Sequence, residues 1–286
     1  MVEEASPQSF DGMDIVFISA GGDASRQWAH VAIAAGAIVV DNSSVFRMNA
    51  DVPLVIPEVN GEDVEWNKGI ISVPNCSTIQ MVMVLDPLHK VNRIKRVLVD
   101  TYQSVSGAGR AAIDELNTQV GDVLNGIKPN AREFPHQIGF NLIPAIEEFL
   151  PNGYTKEEQK MRDETRKILH DKTIAISASC VRVPIAVSHS EAMHVEFTES
   201  ISPEGAKEIL STCPGIKIMD NPLNDIYPMP LYAEGKDDVF VGRIRQDVSV
   251  EYGLVMYVVA DNLRKGAALN AVQIIEEILR RGCLQG

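Results

Sequence analysis

Residues 14–41 constrain this chain more than any other stretch. DIVFIS (residues 14–19) is a short apolar run that stops at Gly21-Gly22, helical character follows over about 24–35, and AIVVD (residues 37–41) is a second apolar run. Strand, helix and strand in so few residues call for two parallel strands joined by a right-handed crossover, because only that hand lays the helix back on the sheet. Residues 69–73 read as a further strand. The helix after Asn75 (CSTIQMVMVLDPL) is apolar nearly all round and so has to be buried. Beyond it the pattern changes. Strand-like runs at 94–103, 174–183, 191–198 and 253–260 alternate with helical patterns at 111–124, 156–169 and 203–210, which predicts a mixed α+β region. Residues 265–279 then set Ala268, Ala271, Val272, Ile275 and Leu279 on one stripe of an amphipathic helix packed on a sheet.

Composition narrows the function. The 286 residues carry 26 Lys+Arg against 39 Asp+Glu, a net charge of −13, so no basic excess exists to neutralise the phosphates of a nucleic acid. A small anionic substrate needs only a few local cations. No apolar stretch of about 18 residues occurs, which excludes a membrane-spanning helix, and the acidic start MVEEASPQSF has no signal-peptide core, so a cytoplasmic protein is expected. The four cysteines, Cys76, Cys180, Cys213 and Cys283, show no CxxC spacing, which argues against a zinc site or a disulfide scaffold; no metal is expected.

One cysteine differs from the rest. Val73-Pro74-Asn75-Cys76-Ser77-Thr78 sets a thiol at the start of a buried helix, where the helix dipole and free N–H groups stabilise a thiolate and can hold an oxyanion. A buried structural cysteine is the alternative. Of the six histidines, His189 stands out in the polar run Ser188-His189-Ser190-Glu191, with a surface position as its alternative. Arg182, between Val181 and Val183, needs a carboxylate or phosphate partner; Glu191 or Glu196 could also supply it internally. Arg47 follows a parallel strand, the end at which open sheets bind anions. Residues 103–109 (QSVSGAG) form a small-residue loop that lets a ligand approach the backbone.

PNCST, TYQSVSGAG, KMRDETRKI, CVRVPIAVSHSEA, FVGRIR and VADNLRKGAALNAVQI, in this order, closely resemble the aspartate-semialdehyde dehydrogenase family over residues 2–278. The Ser77-Thr78-Ile79 after the cysteine sets the chain apart from N-acetyl-glutamyl-phosphate reductase, where a Tyr-containing segment is typical. The resemblance implies an NADP-dependent, reversible conversion of aspartyl phosphate to aspartate 4-semialdehyde, with phosphate as co-substrate, in lysine, threonine and methionine biosynthesis. Cys76 then matches the nucleophile, His189 the general acid/base and Gln103 the residue that orients the acyl group. Arg182 matches the partner of the substrate carboxylate and Glu164 the residue near its amino group. Arg47, Asn75 and Lys167 match the phosphate set. Ser106, Gly107 and Asn262 match positions beside the nicotinamide, and Ser19 and Gly21 are the further candidates for cofactor contact. Glu164 and Lys167, three apart on one helix, share a face.

The implied fold is α/β, an incomplete Rossmann-like parallel-sheet domain plus a mixed α+β catalytic and dimerisation domain. The expected division is 1–75, completed by a C-terminal helix at 262–286, against 76–261, with a homodimer as the assembly. The family opens with a strand, a GxxGxxG turn and a helix, and nothing like that precedes Asp14. A βαβ unit takes at least roughly 30 residues. The expectation is therefore a chain that acylates Cys76 but is weak in the redox step. A non-redox paralogue that dimerises with a full-length enzyme is the competing reading.

Overall fold

A computed structural model describes residues 3–284; residues 1, 2, 285 and 286 of the expected domain bounds lie outside it. Three runs of β-branched residues build a parallel sheet in the order β1 (Ile15–Ile18), β2 (Ile38–Asp41), β3 (Ile70–Ser72), with Ile15 beside Ile38 and Val39 beside Ile70. β2 is buried at every residue, as a strand covered on both faces must be. One cover is α1 (Gly22–Ala34), which buries Ala29 and Ala32. The short α2 (Pro57–Asn60) and the C-terminal α8 (Leu269–Arg281) pack together, and α8 also meets β2. The outer edge of β1 is unpaired among the described residues, and Phe17 on it is 43% exposed.

The second sheet has six strands in the order β5-β4-β6-β9-β8-β7. They are β4 (Ile94–Gln103), β5 (Ala175–Arg182), β6 (His189–Phe197), β7 (Ile216–Ile218), β8 (Val239–Gln246) and β9 (Gly253–Ala260). β4 pairs parallel with β5 and antiparallel with β6, so the sheet is mixed, as the changed sequence pattern predicts. Val97, Val99, Thr101 and Gln103 alternate inward along β4 while Tyr102 turns outward. The inner face carries α3 (Cys76–Val91), with α5 (Lys156–Ile168) and α6 (Pro203–Ser211) beside it. The four-residue α7 (Pro230–Ala233) lies by β9. Outside this layer, α4 (Arg110–Leu124) pins the loop over 130–139. Glu115 accepts the N–H groups of Arg132 and Glu133, and Gln119 accepts those of Ile138 and Gly139.

Three expectations change. β7 and β8 are absent from the sequence reading, because β7 is three residues long and β8 is bulged between Gly242 and Arg245 with charged residues at its end. β6 begins at His189, two residues before the predicted start. In α8 the buried positions are Asn270, Ala271, Ile274 and Ile278, whereas Ala268, Val272 and Leu279 of the predicted stripe are exposed. An apolar pattern could not place Asn270, which is buried because its amide donates to the Val55 carbonyl at 3.0 Å.

α3 is the hub of the core: Met81, Val82, Val84, Leu85 and Leu88 are fully buried. Leu85→Ala is expected to lower unfolding free energy by about 2–5 kcal/mol, the range for a buried leucine that leaves a cavity. Urea denaturation measures it, and an unchanged midpoint would show that this helix does not carry the core.

Candidate active site

Strand direction gathers the chemistry at one end of the mixed sheet. β4 and β5 run parallel and finish together, with Gln103 beside Arg182; β6 runs the other way and starts there, at His189; β9 ends beside it at Ala260. The parallel sheet brings β3 to the same place, and the chain enters α3 through Asn75 and Cys76. Cys76, Gln103, Arg182, Glu157, Lys160 and Arg47 face one cavity of about 820 Å³.

Asn75 caps α3: its side-chain oxygen accepts the N–H of Ser77 at 2.9 Å and of Thr78 at 3.4 Å. Cys76 is therefore the first helical residue, as the sequence predicts. The expected resting thiolate is not what the surroundings favour. Burial and the nearby Glu157 carboxylate push the thiol up to about 12, against the pull of Arg182, Arg47 and the Ser77 N–H. The helix end alone does not outweigh desolvation plus a like charge.

The acidic and basic residues of α5 need a correction. Glu164 is 1% exposed and faces inward, where it accepts from Arg47 Nη1 at 3.0 Å and from the Asn75 N–H at 2.7 Å. Lys167 gives its ammonium to the carbonyls of Arg47, Asn49 and Val52, each at 2.7 Å, and lines a different cavity. The pair at the Cys76 cavity is Glu157 and Lys160, two helical turns earlier. Glu157 accepts from Asn75 Nδ2 at 3.0 Å, Gln103 Nε2 at 3.2 Å and Lys160 Nζ at 3.2 Å. Burial would raise its pKa, but the Lys160 charge and these hydrogen bonds hold it below the usual carboxylate range. Lys160 also pairs with Glu147. The sequence KEEQKMRDETRK contains Glu-x-x-Lys twice at helical spacing, and spacing alone does not choose between them.

Arg182 is 7% exposed, donates to the Ser104 carbonyl at 2.7 Å and pairs with no carboxylate among the described residues. The internal partners allowed by the sequence are not used: both oxygens of the buried Glu191 lack hydrogen bonds among the described residues, and burial raises its pKa well above the ordinary carboxylate value. Arg182 thus offers an open fork at the cavity. His189 is fully buried rather than on the surface. Its Nδ1 accepts the Ser104 N–H at 3.1 Å, which leaves the proton of the neutral ring on Nε2. Nε2 has no hydrogen-bond partner among the described residues. Burial and the Arg182 charge push this imidazole down to about 3. A Cβ at Gly107 would stand 3.1 Å from Arg182 Nη1 and 3.3 Å from His189 Nε2, so glycine lets the loop close over both.

Of the residues expected at a cofactor, Gly21, Ser106, Gly107 and Asn262 line the cavity and Ser19 does not. Ser19 is an exposed residue whose hydroxyl accepts from Asn42 Nδ2 at 3.1 Å. Asn262 has its carboxamide committed: Oδ1 accepts from the Ser188 N–H and the Ser104 hydroxyl, and Nδ2 donates to Ser106. The cavity nevertheless runs from Gly21, Gly22, Asn42 and Ser43 to Cys76. An elongated, phosphate-bearing cofactor fits that shape, with the N-terminus of the 13-residue α1 opening on it through two glycines.

Residues 1–66 match the family described as semialdehyde dehydrogenase, NAD binding domain, and residues 85–265 match semialdehyde dehydrogenase, dimerisation domain. Among individual proteins, the chain is 55% identical over 279 residues to the aspartate-semialdehyde dehydrogenase of Aquifex aeolicus (strain VF5), covering 96% of this chain and 82% of that protein. The crystal structure of aspartate semialdehyde dehydrogenase II complexed with ASA from Vibrio cholerae shares 48% identity with a TM-score of 0.91, covering 93% of this chain and 79% of that one. The aspartate semialdehyde dehydrogenase with NADP from Candida albicans is 27% identical with a TM-score of 0.74, covering 94% and 78%. The chain belongs to the aspartate-semialdehyde dehydrogenase family.

The charges around Cys76 set its reactivity. Glu157→Gln removes the like charge and so lowers the thiol pKa, which is expected to speed alkylation of Cys76 at pH 8 by roughly threefold or more. Arg182→Gln is expected to slow it. Peptide mass spectrometry after timed iodoacetamide treatment reads both, and equal rates would show that neither charge reaches the sulfur.

Proposed function

We propose that this chain interconverts aspartyl phosphate and aspartate 4-semialdehyde, with NADP as cofactor, through a thioester on Cys76. The observation that carries the reading is the charge layout of one cavity. A thiol at a helix start is faced by an open guanidinium on Arg182, a preformed carboxylate on Glu157, and cations on Lys160 and Arg47. A substrate with an α-carboxylate, an α-ammonium and a phosphoryl group meets each of these with its complement. Arg182 holds the carboxylate through two parallel hydrogen bonds and Glu157 holds the ammonium. Arg47 and Lys160, with Asn75, face the phosphoryl group.

Substrate binding also prepares the nucleophile. An ammonium on Glu157 cancels the charge that opposes ionisation of Cys76, and the thiol pKa falls when substrate arrives. Sγ then attacks the acyl carbon, the acyl–oxygen bond breaks, and phosphate leaves with the thiol proton. Gln103, whose amide already donates to Glu157, orients the acyl group. NADPH, when bound, supplies the hydride that takes the thioester to the semialdehyde. The Nε2–H of His189 donates a hydrogen bond to the sulfur as the thiolate departs, solvent supplies the proton that restores the thiol, and Ser104 keeps that tautomer in place. Gly21, Gly22, Ser106 and Gly107 are the residues that would border the cofactor.

With aspartyl phosphate, the chain is expected to gain one acyl group on Cys76 by mass spectrometry, lost in Cys76→Ser. A folded chain that takes no acyl group would overturn the thioester reading.

The division into 1–75 with 262–286 and 76–261 and the homodimer belong to the same proposal. The outer face of the mixed sheet presents His194, Arg243, Arg245 and Tyr257 around an open cavity of about 350 Å³, with Tyr102 against Tyr257, a surface that a second copy would cover. Light scattering is expected to give the mass of two 31.3 kDa chains. A monomer at micromolar concentration would overturn the dimer.

A further inference from the structure

The segment that follows β9 reaches the reactive side chains at two points. At its start Asn262 holds Ser104, and Ser104 holds Nδ1 of His189. Four residues later Gly266 lies against Cys76: a Cβ built on Gly266 would stand 3.0 Å from the Cys76 Cβ and 3.4 Å from its Cα. Packed interiors do not admit that spacing unless a neighbour moves.

The chain takes an unusual path to make this contact. Arg264–Ala268 is a π-turn, in which the Gly266 N–H donates to the Asp261 carbonyl at 3.2 Å and the Ala268 N–H to Leu263 at 3.1 Å. Such turns are rare and cluster at functional sites. A lysine clamps the turn from behind. Lys265 is 1% exposed, and its ammonium donates to Glu58 at 2.6 Å, Asn270 at 3.0 Å and Gln273 at 2.6 Å. All three of its protons are placed, the condition under which a buried cation is tolerated. Lys265 does not line the Cys76 cavity, whereas Gly266 does.

We propose that Gly266 is a positioning residue for the Cys76 thiol, and that the π-turn with its Lys265 clamp exists to hold this glycine against the nucleophile. The inference rests on reading Cys76 as the nucleophile. An added methyl group at position 266 displaces Cys76 from its place at the helix start and crowds the approach to Sγ. Lys265 acts one step further back, by fixing the turn.

The test uses the 286-residue chain and three variants: Gly266→Ala, Cys76→Gly and the double substitution. The first readout is the alkylation rate of Cys76 by iodoacetamide relative to that of Cys213, which lies away from this turn and serves as an internal reference. Gly266→Ala is expected to lower the ratio at least tenfold; a ratio within twofold of wild type overturns the proposal. The second readout is the melting temperature. Gly266→Ala is expected to lower it in the parent chain and to lower it less in the Cys76→Gly background, because the clash partner is gone. Equal losses in both backgrounds overturn the proposal. Should Gly266→Ala not fold, Lys265→Gln decides: a ratio lowered threefold or more supports the clamp, and a smaller change overturns it. Acylation of the unaltered chain tests the role of Cys76 separately, since alkylation reports the position of the sulfur whether or not it is ever acylated.

Discussion

Two buried carboxylates on one helix hold Asn75, and the rest of the site depends on that grip. Glu164 takes the Asn75 backbone N–H and Glu157 takes its side-chain amide, while the side-chain oxygen closes the first turn of α3. The start of α3 is thereby fastened to α5. Glu164 also fixes Arg47, so the parallel sheet, the central helix and the mixed sheet share one polar joint. Inside protein such contacts are strong when complete and costly when broken, which suits a junction that has to keep several side chains in register.

Much of this was legible in the sequence. The strand–helix–strand start, the buried helix after Asn75 and the long strands β4 and β9 follow from apolar period, and β4 and β9 have their predicted bounds. What failed has identifiable causes. The two Glu-x-x-Lys pairs of α5 are equivalent by spacing, and only the packing of α5 against α3 decides that Glu157 meets the cavity while Glu164 anchors Arg47. The α8 stripe was misplaced because Asn270, a polar residue with a buried partner, cannot be told from a solvated one by pattern. The thiolate expectation considered the helix end and omitted the neighbouring carboxylate, which lies 81 positions along the chain at Glu157.

The site shows how local charge departs from the overall balance. The chain carries a net charge of −13, yet the cavity around Cys76 gathers Arg47, Lys160 and Arg182. Two of these are already partnered, Arg47 by Glu164 and Lys160 by Glu157 and Glu147, while Arg182 is not. The open guanidinium lies close to the buried imidazole of His189 and helps to keep it neutral. A neutral ring with its proton on Nε2 is a hydrogen-bond donor.

The protonated resting state of Cys76 bears on how such a protein endures in a cell. Peroxide and most adventitious oxidants attack thiolates, and damage follows how much of the sulfur is ionised and how exposed it is. With its thiol pushed up to about 12, Cys76 presents little thiolate at neutral pH. Chemical durability and reactivity are usually opposed in a nucleophile. Here burial supplies the first, with Glu157 adding to it, and under the proposed function an ammonium lying on Glu157 would favour the second.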